Sequence, residues 1–118
     1  RDSVHTIWEE PVGKNLQVFY KRSVDGGNTY DKPINLSNSS QDSFDAKIRI
    51  SKTDKVGVVF RAGNDIFYTA SDNNGLTFSS PINVSKSPNT ISSDPNIEIV
   101  DGSVKIVWVE HDVQSMDS

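Results

Sequence analysis

The chain has 118 residues, 34% of them hydrophobic, and its 12 Lys and Arg against 16 Asp and Glu give a formal net charge of −4. This mildly acidic balance, without a basic run, excludes the electrostatic footprint of nucleic-acid binding. The absence of cysteine excludes disulfides and thiolate metal sites. No apolar run reaches the roughly 18 residues of a membrane span, so no membrane insertion is expected. The first residue is Arg1 and not Met, which suggests a processed or excerpted chain.

Short apolar segments separated by turn residues follow one another along the whole chain. In order they are "SVHTIWEE" (3–10), "VFYKRSVDGGNTYDKPINLS" (18–37), "AKIRIS" (46–51), "KVGVVFRA" (55–62), "DIFYTAS" (65–71), "TFSSPINVS" (77–85) and "SVKIVWVE" (103–110). No window longer than ten residues keeps the apolar spacing of a helix, because Gly, Asn, Asp, Ser and Pro interrupt each one. The sequence therefore predicts an all-β protein. The nearly continuous apolar runs "VGVVF" and "IVWV" predict strands that are covered on both faces.

Part of this pattern is an internal repeat. Residues 18–37 and 66–85 are identical at nine of twenty positions, with a constant offset of 48. The same offset pairs Phe60 with Trp108, and Trp8 holds the corresponding place in an earlier copy, after which the loop "EEPVGKN" carries four additional residues. A four-stranded unit that repeats every 40–50 residues is typical of the blades of a β-propeller.

The strand count assigns the chain to three successive blades. Strands two to four of a first blade span 3–37, a whole second blade spans 45–86, and strands one and two of a third span 94–111. Propellers typically close with 4–8 blades, so we expect either a fragment whose remaining blades lie in the same longer chain or a unit that assembles from several copies. An immunoglobulin-like sandwich is the alternative fold, but it does not explain the repeat.

Two turns of the repeat share one motif. "SVDGGNTY" (23–30) and "SDNNGLTF" (71–78) fit the pattern Ser-x-Asp-x-Gly-x-Thr-aromatic, which resembles the Asp-box, or BNR, repeat of sialidase-like propellers. The resemblance implies a hairpin between the third and fourth strands of each blade. The residues of the two boxes are Ser23, Asp25, Gly27, Thr29 and Tyr30, and Ser71, Asn73, Gly75, Thr77 and Phe78.

The chemistry of the box favours a structural role. Gly27 and Gly75 can supply a positive φ, and Asp25 and Asn73 can accept hydrogen bonds from the N–H groups of their own turn. Because Asn73 has no charge, the pair favours hydrogen bonding over catalysis. The alternative is a Ca²⁺ loop, but six to eight oxygen ligands with several carboxylates are wanted. No metal and no cofactor is therefore expected.

The resemblance also raises the question of catalysis. Sialidases use three arginines to clamp the substrate carboxylate, a Tyr/Glu nucleophile pair and an Asp acid/base. None of Arg1, Arg22, Arg49 and Arg61 lies in the Arg-Ile-Pro context of the family, since Arg49-Ile50 is followed by Ser51. No residue is assigned as catalytic, and the sequence leans against an enzyme.

Two other sets of residues are candidates for function. Acidic residues near the expected functional face would form a rim suited to a cation or to a basic or hydroxylated ligand; they are Asp45, Asp94, Glu9, Glu10, Glu110 and Asp112. The alternative is that Asp45 and Asp94 cap turns just before the innermost strands. Three glycosylation sequons begin at Asn35, Asn38 and Asn83. The alternative is an outer-strand repeat "PIN[LV]S" whose Asn and Ser face solvent.

These features predict a non-catalytic, secreted or cell-surface propeller module that binds carbohydrate or another protein, or acts as a scaffold. One alternative is part of a sialidase-type exo-glycosidase whose catalytic residues lie outside this segment. Another is a self-assembling coat or filament component, because open blades expose sheet edges that can pair.

Overall fold

The computed structural model describes residues 2–86 and 88–112, which form an all-β fold. The strands are β1 (Val4–Val12), β2 (Asn15–Ser23), β3 (Ile34–Asn35), β4 (Ser43–Ile50), β5 (Val56–Ala62), β6 (Asp65–Ser71), β7 (Ile82–Asn83), β8 (Thr90–Val100) and β9 (Ser103–Asp112). Within these two ranges there is no helix, and hence none that is long and apolar enough to cross a membrane. The all-β prediction is confirmed.

The strands form three antiparallel sheets in chain order. The first sheet is β1-β2-β3, the second is β4-β5-β6-β7 and the third is β8-β9. Two-residue hairpins join β1 to β2 and β5 to β6, and the second of them is the turn predicted at Gly63. The predicted loop "EEPVGKN" is wrong, because residues 9–12 belong to β1 and pair with residues 15–18 of β2, so that the four additional residues lengthen this hairpin. Consecutive antiparallel strands place the Asp-box turns at one end of the sheets, together with the β4–β5 and β8–β9 hairpins. The opposite end, here called the rim end, carries the β1–β2 and β5–β6 hairpins and the connections that follow β3 and β7.

Several strand boundaries differ from the predicted ones. The fourth strands β3 and β7 have two residues each, because most of the predicted segment 77–85 belongs to the loop of the Asp box. The strands β4 and β8 begin earlier than predicted, since each contains a β-bulge, between Phe44 and Lys47 and between Ser93 and Asn96. The extra residue of a bulge is unpaired, but the strand pairs with its partner on both sides of it.

The main core lies between the first and second sheets. Its largest buried side chains are Tyr20 of β2 and Phe60 of β5, each 1% exposed. The other buried members are Val18, Leu36, Val56, Val58 and Ala62. Each valine and leucine side chain of this set contributes about 1.5–3 kcal/mol by leaving water, so this contact fixes how the two sheets stack.

The third sheet packs on the opposite face of the second. A Cβ at Gly57 would lie 2.9 Å from Cδ1 of Ile97 and 3.3 Å from Cδ1 of Ile99, so β8 approaches the backbone of β5 closely. β5 is therefore covered on both faces, as its apolar run predicts, and Val56 to Phe60 are all buried. The same prediction is wrong for β9, where burial alternates and Val107 is 64% exposed. The described residues cover only one face of β9.

Candidate functional site

The two Asp-box turns are closed by the same hydrogen bonds. In the first turn, the Ser23 hydroxyl accepts from the N–H of Gly27 at 2.8 Å and donates to Oδ1 of Asp25 at 2.7 Å. Oδ1 of Asp25 also accepts from the N–H of Thr29 at 2.9 Å. The side chains of Ser23 and Asp25 thus close the turn between β2 and β3.

In the second turn, the corresponding bonds lie within 0.1 Å of these lengths. Ser71 accepts from the N–H of Gly75 at 2.8 Å and donates to Oδ1 of Asn73 at 2.7 Å, and Oδ1 accepts from the N–H of Thr77 at 3.0 Å. One bond changes direction. The Thr29 hydroxyl donates to Oδ2 of Asp25 at 2.6 Å, whereas Nδ2 of Asn73 donates to the Thr77 hydroxyl at 2.8 Å. A threonine hydroxyl can do either, so both Asp and Asn complete the turn.

The hydrogen bonds of the first turn also change the acidity of its carboxylate. Donation from the Thr29 hydroxyl, then from the Thr29 N–H and the Ser23 hydroxyl, lowers the pKa of Asp25 from 3.8 to about 2. All of these donors favour the charged form. A carboxyl group with this pKa is ionised at neutral pH and acts as an acceptor, not as a proton donor.

Each Asp-box turn is also tied to the segment that leads into β1 or β5 of its own sheet. The N–H of Gly26 donates to the carbonyl oxygen of Asp2 at 2.8 Å, and the N–H of Asn74 donates to that of Asp54 at 3.1 Å. Gly26 and Asn74 are 48 residues apart, and Asp2 and Asp54 are 52 apart because of the four additional residues after Trp8. The repeat therefore includes this contact between distant parts of the sequence.

The second Asp-box turn contacts the first sheet through Tyr20, a residue that the sequence analysis did not single out. The Tyr20 ring lies edge-on to Phe78 with centroids 4.8 Å apart, and its hydroxyl lies 2.7 Å from Nδ1 of His5. Burial raises the pKa of Tyr20 to about 12. The sequence did contain a signal for this residue, because a tyrosine stands at the same position in both copies of the repeat, as Tyr20 and Tyr68. Tyr30 of the first turn has no sheet over it among the described residues and is 40% exposed, with Nζ of Lys21 4.3 Å from its ring centroid.

The described arginines lie apart from one another and contact neighbouring groups. At the Asp-box end, Arg22 donates from Nε and Nη2 to Oδ2 of Asp31 at 2.9 and 2.7 Å and from Nη1 to the carbonyl of Asn74 at 3.2 Å. At the rim end, Arg61 donates to the carbonyl of Gly63 at 2.8 Å. Nη1 of Arg49 donates to the carbonyl of Ile48 at 2.8 Å. Arg1 lies outside the described residues.

Only part of the acidic rim comes together. Asp45 and Asp94 lie in the bulges of β4 and β8, with φ of 58° and 53°, and not before these strands. The carboxylate of Glu9 in the first sheet accepts from the N–H of Asp45 in the second at 2.8 Å. Oδ1 of Asp45 lies 3.0 Å from Nζ of Lys47.

The remaining members of the rim have other partners. Glu10 accepts from the indole N–H of Trp8 at 2.6 Å, and Glu110 accepts from that of Trp108 at 2.9 Å. Glu9 and Glu10 are neighbours on one strand, so their side chains point to opposite faces of the sheet. Across residues 2–86 and 88–112, no three His, Asp or Glu side chains are grouped to hold a metal ion.

The sequon asparagines 35 and 83 end the fourth strands. Oδ1 of Asn35 accepts from the N–H of Asn38 at 2.8 Å, and Oδ1 of Asn83 accepts from that of Lys86 at 2.9 Å. Ser37 is 6% exposed and its hydroxyl accepts from the N–H of Val18 at 3.0 Å, so the expectation that the serine of "PIN[LV]S" faces solvent is wrong at this position. Asn38 itself is exposed.

The fold and these contacts define an all-β protein of stacked antiparallel sheets with a repeated, hydrogen-bonded turn. The sequence matches no protein-family model, and no curated protein is significantly similar to it.

Proposed function

We propose that the three sheets are consecutive blades of a β-propeller of the Asp-box type, spanning 3–37, 45–86 and 94–111. The equivalence of the two Asp-box turns supports this assignment, because the same bonds recur at the same place in the first and second sheets. The stacking supports it too. The second sheet turns one face to the first sheet and the other to the third, as a blade does towards its two neighbours around an axis.

Within this fold, the protein is a non-catalytic module that binds or scaffolds. The observation that carries this proposal is the placement of the arginines. Arg22 is held by Asp31 at the Asp-box end, while Arg61 lies at the rim end with its guanidinium carbon 5.1 Å from the Phe44 ring centroid. A clamp for a carboxylate needs guanidinium groups that converge on one point. Groups at opposite ends of the sheets do not provide it.

The ligand class is carbohydrate or another protein, and the position is outside the cell or on its surface. Both assignments follow from the resemblance to Asp-box propellers. The sequon at Asn38 adds support, because this side chain is exposed. The loops of the rim end carry the specificity, while the sheets and Asp-box turns serve as a rigid frame.

The test is hydrolysis of a fluorogenic sialoside by the intact protein. We expect no turnover above the uncatalysed rate. Turnover that is lost in Arg61→Ala and kept in Arg49→Ala would overturn the proposal in favour of the sialidase alternative. Arg49→Ala is the matched control, because Arg49 is exposed and donates a hydrogen bond to the carbonyl of its own neighbour, Ile48.

A further inference from the structure

Two of the three glycosylation sequons are built into the fold in the same way. In the first, Oδ1 of Asn35 accepts from the N–H of Asn38 at 2.8 Å and so closes the turn that follows β3. The Ser37 hydroxyl accepts from the N–H of Val18 in β2 at 3.0 Å. The asparagine and the serine of this sequon therefore both serve the strand and its turn.

The second copy repeats these bonds 48 residues further along the chain. Oδ1 of Asn83 accepts from the N–H of Lys86 at 2.9 Å, and the Ser85 hydroxyl accepts from the N–H of Ile66 at 3.1 Å. Asn35 and Asn83 are both half-buried. Their sequons are thus accounted for as parts of the repeated turn.

The third sequon, at residues 38–40, has no such structural role. In the second copy, Lys86 stands at the position of Asn38, so the repeat does not require an asparagine there. Asn38 and Ser40 are both exposed. The side-chain amide of Asn38 makes no hydrogen bond to residues 2–86 or 88–112. This amide is therefore available for a modification.

The side chain of Asn38 lies at a cleft between the first and second sheets. The cleft has a volume of about 250 Å³, and Asn38, Ser39, Phe67 and Pro81 are among its lining residues. The half-buried ring of Phe67 stacks on Phe60 with centroids 5.8 Å apart and 12° between the planes. Since a water molecule takes up roughly 30 Å³, a space of this size holds about eight waters, which is room for one sugar ring.

The lining of the cleft has the chemistry that a sugar ring binds. The C–H groups of the ring can pack on Phe67 and Pro81, and its hydroxyl groups can bond to the polar groups of the loop. The first sugar of a glycan on Asn38 would be bonded to the very amide that lines the cleft. An attached sugar therefore has a high effective concentration at this surface, which favours it over a free one as the occupant.

We propose that Asn38 carries an N-linked glycan whose first sugar lies in the cleft against Phe67. The sequons at Asn35 and Asn83 carry none, because their side chains are held in the turns that they close. In the transfer, Nδ2 of Asn38 bonds to C1 of the sugar, and the bond from C1 to the diphosphate of a lipid-linked oligosaccharide breaks. The diphosphate keeps the electron pair of that bond, and the proton lost by Nδ2 balances its new charge.

This inference rests on the proposed position outside the cell but not on the proposed lack of catalysis, so hydrolysis of a sialoside would leave it standing. Its first test is secretion of the 118-residue chain from a eukaryotic host, with the glycopeptides mapped by mass spectrometry. We expect secreted protein with a glycan at Asn38 and none at Asn35 or Asn83. An unmodified Asn38, or equal occupancy at another sequon, would overturn the inference.

The position of the first sugar has its own test. An endoglycosidase trims the glycan to one sugar, and this form should melt a few degrees above Asn38→Gln from the same host. In a Phe67→Leu background the difference should disappear. In a Phe19→Leu background it should remain, because the Phe19 ring stacks on Trp8 and not in the cleft. Equal differences in both backgrounds would contradict the placement against Phe67.

A further measurement does not depend on secretion. The chain has no cysteine, so Asn38→Cys provides a single thiol, whose thiolate displaces iodide from an iodoacetamide linked at C1 to N-acetylglucosamine. The sugar-bearing protein should melt a few degrees above the same variant treated with iodoacetamide alone. Asn83→Cys is the matched control, in which the sugar should give no rise. A missing rise at position 38, or an equal rise at position 83, would contradict the inference.

Discussion

The hydroxyl group of Tyr20 occupies the space that a side chain at Gly75 would need. Tyr20 belongs to β2 of the first sheet and Gly75 to the Asp-box turn of the second, so the turn is packed at a sheet boundary as well as within its own hairpin. Gly75 has a φ of +89°, which residues with a side chain adopt only with strain. Two separate constraints therefore act on the same residue.

Gly75→Ala is expected to destabilise the protein by about 2–4 kcal/mol, from overpacking against Tyr20 and from backbone strain. Gly27→Ala is the matched control. Gly27 has a φ of +96°, and a Cβ there would meet only the Tyr30 hydroxyl, at 3.4 Å. It should lose about 1–2 kcal/mol, from strain alone. Chemical denaturation measures the free energy of unfolding of both variants. Equal losses would contradict the contribution of overpacking against Tyr20.

Asp25→Asn should remove part of the acid sensitivity of the protein. The pKa of Asp25 is about 2 in the folded protein, below its usual 3.8. A lowered pKa means that its contribution to stability is full above pH 3.8 and is lost as the pH falls through about 2. Melting temperatures between pH 7 and pH 2 should therefore fall less steeply in Asp25→Asn than in the wild type. Equal slopes of melting temperature against pH in the two proteins would contradict the lowered pKa of Asp25.

Asn73→Asp tests whether the two turns are interchangeable. The Thr77 hydroxyl can reverse and donate to the new carboxylate, as Thr29 does to Asp25, so stability at pH 7 should change by less than about 0.5 kcal/mol. The variant should also gain an acid-sensitive step like that of Asp25. Asn73→Ala, which loses the acceptor, should cost about 1–2 kcal/mol. Equal losses in the two variants would argue against the hydrogen-bonding role.

The burial of His5 predicts a second pH dependence. Burial, and then the charge of Arg22, lower the pKa of His5 below 6.5, with Asp54 acting in the opposite direction. Because the unfolded chain then binds protons more readily, stability is full above pH 6.5 and decreases as the pH falls from there towards the lower folded value.

Denaturation midpoints between pH 8 and pH 5 measure this effect. His5→Gln should flatten the dependence in this window. His111→Gln is the control, because His111 is exposed near the end of β9 and should leave the dependence in place. A wild-type midpoint that does not change between pH 7 and pH 5 would contradict the prediction.

Local patterns in the sequence were sufficient to predict much of the fold. Turn residues and apolar runs indicated the strands of the first and second sheets, and the substitution of Asn73 for Asp25 favoured a hydrogen-bonding turn. Both are short-range effects: a turn closes over a few residues, and the side-chain bonds of the Asp box span four. The constant offset of 48 was sufficient to pair each residue of 18–37 with its equivalent in 66–85.

Only the tertiary structure decided what each face of each strand touches. Tyr20 and Gly75 are separated by 55 positions, and their contact depends on how the first sheet stacks on the second. The bulges at Asp45 and Asp94 likewise depend on pairing with β5 and β9. The apolar runs of β5 and β9 look alike, yet Val59 is buried and Val107 is exposed, because burial depends on the neighbouring sheet and not on the strand itself.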